Sequence, residues 1–275
     1  MARTLPRLVS SSTARWVALA GVVGWPWRRS RHVGVSHCEA SAKTVAESSW
    51  TRNLLFIAPS GFWADDYWYD LQMERRLPLT RDLLREFIFA LPPLGASHRV
   101  CDLGCGTGRS AAALQAAYPM ARLTLVDPDE GRLSLARRKL SEAEASDGSS
   151  CVSCIAAAVH ADGQPLPGSL PEGYDCILAL QAVRHIVAPP PHYAAKLQLE
   201  TVAGEAICAG YARMFAGLYA SVKPGGHVFI GDHVVHQHPG VFQHCKLLEA
   251  AGFTDIDVAW RQNDWFVIGA RRPVT

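Results

Sequence analysis

Val100-Cys101-Asp102-Leu103-Gly104-Cys105-Gly106-Thr107-Gly108 decides the fold of this chain. It reads as a short apolar strand that meets an acid and then a glycine-rich turn. Alternating glycines let the backbone pass close to a ligand, because no Cβ stands in the way. A helical run, Ser110 to Ala117, follows at once. A strand, a glycine turn and a helix in direct succession build the ligand crevice of an open α/β sheet.

The spacing selects the ligand class. A dinucleotide fingerprint reads G-x-G-x-x-G and points its helix N-terminus at a pyrophosphate. Here the glycines fall at 104, 106 and 108, and Asp102 stands two residues before the first. A carboxylate is a poor neighbour for phosphate and suits an ammonium or sulfonium group. S-adenosylmethionine carries both cations and no phosphate.

Downstream, Leu123-Thr124-Leu125-Val126-Asp127 is a second apolar strand ending on an acid, 23 residues after Gly104. An acid at about that distance can hydrogen-bond ribose hydroxyls; it can equally cap the next helix, Glu130 to Glu144. His160-Ala161-Asp162-Gly163 follows the apolar run Ile155 to Val159, and Asp-Gly is also a good turn in its own right. Tyr174-Asp175 leads a strand that runs through Gln181 to Arg184-His185. Lys223-Pro224-Gly225-Gly226 stops a helix ending at Val222 and starts a strand over His227–Gly231. A last helix stops at Gly252, before strands near Asp255–Trp260 and Asp264–Ala270.

In these motifs the sequence resembles the class I S-adenosylmethionine-dependent methyltransferases, most closely their small-molecule branch of ubiquinone/menaquinone-biosynthesis type, over about Tyr67 to Arg272. The resemblance implies a Rossmann-like, doubly wound seven-stranded α/β sheet, mostly parallel, with a C-terminal antiparallel hairpin. It implies S-adenosyl-L-methionine as cofactor, bound by Asp102, Gly104, Cys105, Gly106, Gly108, Asp127, Pro128, Ala161, Asp162 and Gln181, with Asp162 on the adenine amino group. Many relatives carry two histidines after the fourth strand; this chain has Arg184-His185, so only His185 matches.

Methyl transfer from a sulfonium needs a base only if the acceptor must lose a proton. His185 is the base candidate, because imidazole titrates near neutrality; the alternative is a histidine that shapes the pocket. Asp232 and His233, at the end of the fifth strand, are expected to face the acceptor. The histidines around them (236, 238, 244) match no zinc spacing, and no metal is expected. Two other functions fit a crevice of this kind: a non-catalytic cofactor-binding scaffold and an NAD-dependent oxidoreductase, the latter opposed by the glycine spacing and by Asp102.

Composition bounds the partners. Residues 1–50 hold seven of the 27 basic residues and two of the 25 acids, leaving a balance of −3 in the remainder. That balance suits a small-molecule acceptor and disfavours nucleic acid, which clustered Lys and Arg bind. Cys101, Cys105 and Cys176 sit on or beside predicted core strands, as buried thiols do, and Cys151-x-x-Cys154 lacks a second pair. Residues 1–38 hold six arginines and no acid. This is the pattern of an organellar transit peptide, mitochondrial in the first instance, with plastid or cytoplasm as alternatives. Trp16 to Trp27 is uncharged over 12 residues, too short for a spanning helix of about 20.

The expected organisation is a targeting segment over 1–45, cap helices over 46–95 and the methyltransferase domain over 96–275. The aromatic stretch Phe62 to Asp70 reads either as a cap packed on the sheet edge or as a lid bringing Tyr67 or Tyr69 over the cofactor. Leu79, Leu83, Phe87 and Ile88 repeat at helical spacing beside the first strand, and Pro92-Pro93 ends that helix. Val187 to Leu199, with its three prolines, is expected to cover the acceptor. Oligomeric state is not written in the sequence.

Overall fold

The computed structural model describes residues 66–141, 151–169, 171–189 and 206–274. The expected targeting segment over 1–45, Phe62 to Asp65, and the greater part of the expected Val187–Leu199 cover lie outside those residues.

Seven strands form one sheet: β1 (Arg99–Leu103), β2 (Arg122–Asp127), β3 (Val152–Ala156), β4 (Tyr174–Leu180), β5 (Val222–His233), β6 (Thr254–Gln262) and β7 (Trp265–Arg271). Their order is β3-β2-β1-β4-β5-β7-β6. The first five run parallel, and β7 and β6 close the sheet antiparallel. This is the expected doubly wound sheet with its C-terminal hairpin. The order reverses between β1 and β4, which opens a crevice beyond their carboxyl ends.

Strand alternation sorts the core into two layers. Cys101 and Leu103 of β1 join Ile177 and Ala179 of β4 on one face. Val100, Cys176 and Leu178 point to the other. Helices α2 (Thr80–Phe89), α3 (Arg109–Ala117) and α4 (Glu130–Ser141) cover the second face; α5 (Val183–Val187), α6 (Ala206–Ser221) and α7 (Val241–Ala250) cover the first. Fully burying each Leu, Ile or Phe contributes about 1.5–3 kcal/mol. α1 (Asp66–Arg76) precedes them in the chain.

Three local outcomes differ from the expectations. α2 packs chiefly on β5 and β7 rather than beside β1: Phe87 sits where a Cβ on Gly231 would lie, 2.8 Å away. The Lys223–Gly226 turn lies inside β5 as a bulge, so that Tyr174 pairs with Val222 and Cys176 with His227. And β3 ends at Ala156, before the apolar run is finished.

Candidate active site

A cavity of about 390 Å³ lies at the carboxyl ends of the parallel strands, within the size range of small-molecule pockets. Gly104, Cys105 and Gly106 follow β1, Asp127 and Pro128 end β2, and Ala158 and Val159 follow β3. Leu180, Gln181, Ala182, Arg184 and His185 come from the β4–α5 junction, and His233 ends β5. Tyr69, Met73 and Leu77, on α1 and just past it, line another part of the wall.

The three glycines have separate jobs, and all have positive φ. Gly106 (φ +52°) has no atom within 4 Å of where a Cβ would stand, so its backbone borders open cavity. Gly104 lines the cavity too, but a Cβ there would meet Ala182 at 2.6 Å. Gly108 caps α3 and faces away: a Cβ would lie 2.7 Å from that of Ala136 on α4.

Asp127 ties this loop to the second strand. Gly106 N–H donates to its Oδ2 and Asp129 N–H to its Oδ1, both at 2.9 Å. Burial pushes the Asp127 carboxyl up, against the pull of these two bonds. The helix cap is a different residue: Asp129 Oδ1 accepts from Gly131 N–H (3.0 Å) and Arg132 N–H (3.4 Å) at the start of α4. A carboxylate has about four acceptor positions, so Asp127 keeps capacity for ligand hydroxyls.

Asp102 is 1% exposed and does not itself line the cavity. Its Oδ2 accepts from Ser110 Oγ at 2.6 Å, whereas Oδ1 is buried with no hydrogen-bond partner among the described residues. Burial raises its pKa to about 7. Gln181 does line the cavity, is buried, and holds a left-handed φ of +54°, a strained conformation for glutamine. Its Nε2 also has no partner among the described residues.

Ala161 and Asp162 are not brought to the cavity. The chain leaves the sheet at Ala156, and Asp162 is exposed with Oδ1 accepting from Gln164 N–H at 3.0 Å, as in a plain Asx turn. Ala158 and Val159 occupy the wall in their place.

The end of the cavity formed by the β4–α5 junction and the end of β5 is organised around Arg184. Its Nη1 pairs with the buried Asp232 and donates to His233 Nδ1 at 2.6 Å, and its Nε donates to His185 Nε2 at 3.2 Å. Burial and the Arg184 charge hold the His185 imidazole well below its ordinary pKa, and push His233 down too. Both rings are therefore neutral near pH 7, each with one lone pair committed to Arg184. His233 stacks on Trp265, ring centroids 4.6 Å apart. His244 lies elsewhere, its Nδ1 bonded to the Gly240 carbonyl and its ring among Tyr211, Phe215 and Phe266. Among the described residues no three His, Cys, Asp or Glu side chains are grouped to hold a metal.

A clamp that the sequence did not announce joins α1, the glycine loop and α4. Lys139 pairs with Asp70 and donates to the Thr107 carbonyl at 2.7 Å, while Thr107 Oγ1 donates to the same Asp70. Arg132 lies over the Tyr69 ring, 4.7 Å from its centroid. Burial raises the Tyr69 pKa, opposed by the charges of Arg132, Arg184 and Arg109, so three guanidinium groups act on one phenol.

Comparison with known proteins agrees with this architecture. A family model described as a methyltransferase domain matches residues 69–265. Over 53 residues the chain is 47% identical to trans-aconitate 2-methyltransferase of Methylobacterium nodulans, covering 19% of this chain and 20% of that protein. Over 57 residues it is 42% identical to the protein of the same name from Paracidovorax citrulli, covering 21% and 22%. The matched stretch thus spans about a fifth of the length of these curated relatives. A solved Bordetella parapertussis structure, described as a possible exported protein, shares the fold with a TM-score of 0.52 at 21% identity, over 82% of this chain and 79% of that one. With its family model matched over most of its length, the chain belongs to the methyltransferase-domain family.

Proposed function

We propose that this chain transfers a methyl group from S-adenosylmethionine to a small-molecule acceptor. One observation carries the reading: an open-sided glycine, an acid at the end of β2 and a strained glutamine whose Nε2 has no partner among the described residues meet in one cavity at the switch point of the sheet. These groups fit the cofactor. Gly106 leaves room for a ligand against the backbone, Asp127 can accept from ribose hydroxyls, and Gln181 offers a buried amide donor. The buried Asp102 carboxyl, bonded to Ser110 Oγ, braces the start of α3 behind the loop. Asp102 and Gly108 support the loop; Gly104, Cys105, Gly106, Asp127, Pro128 and Gln181 form the binding surface.

When bound, the cofactor supplies a methyl group on a positively charged sulfur that leaves as a neutral thioether. The protein's own task is then placement and exclusion of water. Holding reactants in line can supply roughly 7–11 kcal/mol. Tyr69, Met73 and Leu77 close part of the wall, and Arg184 fixes His185 and His233 at the acceptor end. In this arrangement neutral His185 is a positioning residue rather than a base.

The test is incubation of the full-length protein with methyl-labelled S-adenosylmethionine and a metabolite extract, with mass identification of labelled products. Label in a discrete small product is expected, and Asp127→Asn should lower its rate about tenfold or more through lost charge-assisted hydrogen bonds. No transferred label from any extract contradicts the reading. The basic, acid-free residues 1–38 support mitochondrial targeting; a fluorescent fusion of residues 1–60 should reach mitochondria, and a diffuse or plastid signal refutes it.

A further inference from the structure

Arg184 and His185 are neighbours on α5, where adjacent side chains do not ordinarily face each other. β5 is what turns Arg184 onto His185. The guanidinium pairs with the buried Asp232, whose Oδ1 also accepts from the His233 N–H at 2.8 Å. One Nη1 hydrogen is spent on Asp232, and the other reaches His233 Nδ1 at 2.6 Å. The Nε hydrogen reaches His185 Nε2 at 3.2 Å. Every hydrogen on Nη1 and Nε thus has its own partner.

An arginine has no lone pair to offer, so in each ring contact the imidazole nitrogen accepts. A neutral ring that accepts through one nitrogen carries its hydrogen on the other. Burial and the Arg184 charge keep the His185 ring neutral. Its hydrogen therefore sits on Nδ1, opposite to the Nε2–H form that a free histidine side chain prefers. His185 lines the cavity, and its Nδ1 makes no hydrogen bond among the described residues. For His233 the contacts compete: Nδ1 lies 2.6 Å from Arg184 Nη1, Nε2 lies 3.4 Å from the same atom, and Nδ1 lies 3.5 Å from Asp232. The shortest governs, which leaves the His233 hydrogen on Nε2.

We propose that Arg184 is a positioning residue for methyl transfer: it locks His185 as the Nδ1–H tautomer, and His185 then donates a hydrogen bond to a lone pair of the methyl acceptor instead of taking a proton from it. The two tautomers serve opposite chemistry. With its hydrogen on Nε2, the ring would turn the Nδ1 lone pair to the acceptor and could act as a base. With Nε2 held by Arg184, the same ring orients the acceptor through a lone pair and turns away a group that meets it with N–H or O–H. Asp232 acts one step further back, by aiming the guanidinium. This inference rests on the methyltransferase reading above and assigns the roles of residues at that same site.

Two measurements on the full-length protein test it. The first is spectroscopic and needs no acceptor. Two-bond proton–nitrogen correlation on protein labelled with nitrogen-15 histidine reads which ring nitrogen carries the hydrogen, and the signal missing from His185→Asn assigns His185. Wild type should show Nδ1 protonated and Nε2 bare. Arg184→Met combined with Asp232→Asn removes both charges together, so that neither is left buried alone, and should return His185 to the Nε2–H form. A wild-type hydrogen on Nε2, or an Nδ1–H form that persists in the double variant, overturns the proposal. The second measurement is the rate of label transfer from methyl-labelled S-adenosylmethionine into a metabolite extract. An asparagine amide reaches the position of imidazole Nδ1, and a glutamine amide that of Nε2. His185→Gln should therefore be slower than His185→Asn, by about tenfold for one lost hydrogen bond. Equal rates, or a faster His185→Gln, overturn the proposal. Absence of transfer by wild type fails the methyltransferase reading, whereas the wrong tautomer in a protein that does transfer label fails this inference alone.

Discussion

Gly106 and Gly108 share a motif and a left-handed backbone, yet their surroundings set them opposite tasks. Gly106→Ala meets no atom within 4 Å, so its cost to folding is the left-handed strain of about 1–2 kcal/mol. Its methyl would project into the cavity, and S-adenosylhomocysteine affinity measured by calorimetry should fall sharply. Gly108→Ala adds a collision with the Ala136 backbone, 2.9 Å from the new Cβ, to the same strain. It should cost about 3 kcal/mol or more in urea unfolding, since overpacking adds 1–3 kcal/mol to the backbone term. Equal effects of the two substitutions on stability and binding contradict this division. Gln181 supplies the complementary case. Gln181→Gly relieves a φ of +54° and should stabilise the fold by about 1 kcal/mol in chemical denaturation. The same change removes the buried Nε2 donor and should weaken cofactor binding; a variant that gains stability with unchanged affinity removes Gln181 from the site.

α1, the glycine loop and α4 are held together by Asp70, Thr107 and Lys139, whose carboxylate and ammonium side chains are each about one-third exposed. A pair that wet contributes about 1 kcal/mol or less to global stability. Lys139→Met should therefore leave the unfolding midpoint nearly unchanged while hydrogen exchange in α1 speeds up, because the helix loses its tie to the loop. Uniform acceleration across the sheet argues instead for a global role. This clamp also marks a limit of sequence reading. The glycine turn and the acid ending β2 are legible because strand, turn and helix signals lie within a few residues of one another. Asp70 lies 37 residues from Thr107 and 69 from Lys139, and no local periodicity links them. The Asp162 placement fails for a related reason: an apolar run to Val159 does not reveal that pairing with β2 stops at Ala156. Arg184 was visible only as a departure from a histidine pair. Its role emerged when β5 brought Asp232 and His233 to it, and the sheet order sets that proximity.

At the scale of the whole molecule, the parallel strands deliver buried charge to one end of the sheet, and stability should register it. Asp102 has a folded pKa raised to about 7 by burial, against about 3.9 in an unfolded chain. Between those values the folded state holds a proton that the unfolded state has released. Its contribution is thus fully present below about pH 4, declines by up to about 1.4 kcal/mol per pH unit, and levels off above about pH 7. The neighbouring histidines, lowered by burial, slope the other way, so the quantity to measure is the difference in unfolding free energy between wild type and Asp102→Asn across that window. A difference that does not change with pH contradicts a buried, proton-holding Asp102. The central claim is that the cavity at the sheet's switch point takes a cationic adenosyl ligand rather than a diphosphate. Parallel calorimetric titrations of the folded full-length protein with S-adenosylmethionine and with NADH test it most directly. The account predicts saturable one-to-one binding of S-adenosylmethionine, weakened by Asp127→Asn, and no comparable heat from NADH; NADH binding with no S-adenosylmethionine signal would contradict it.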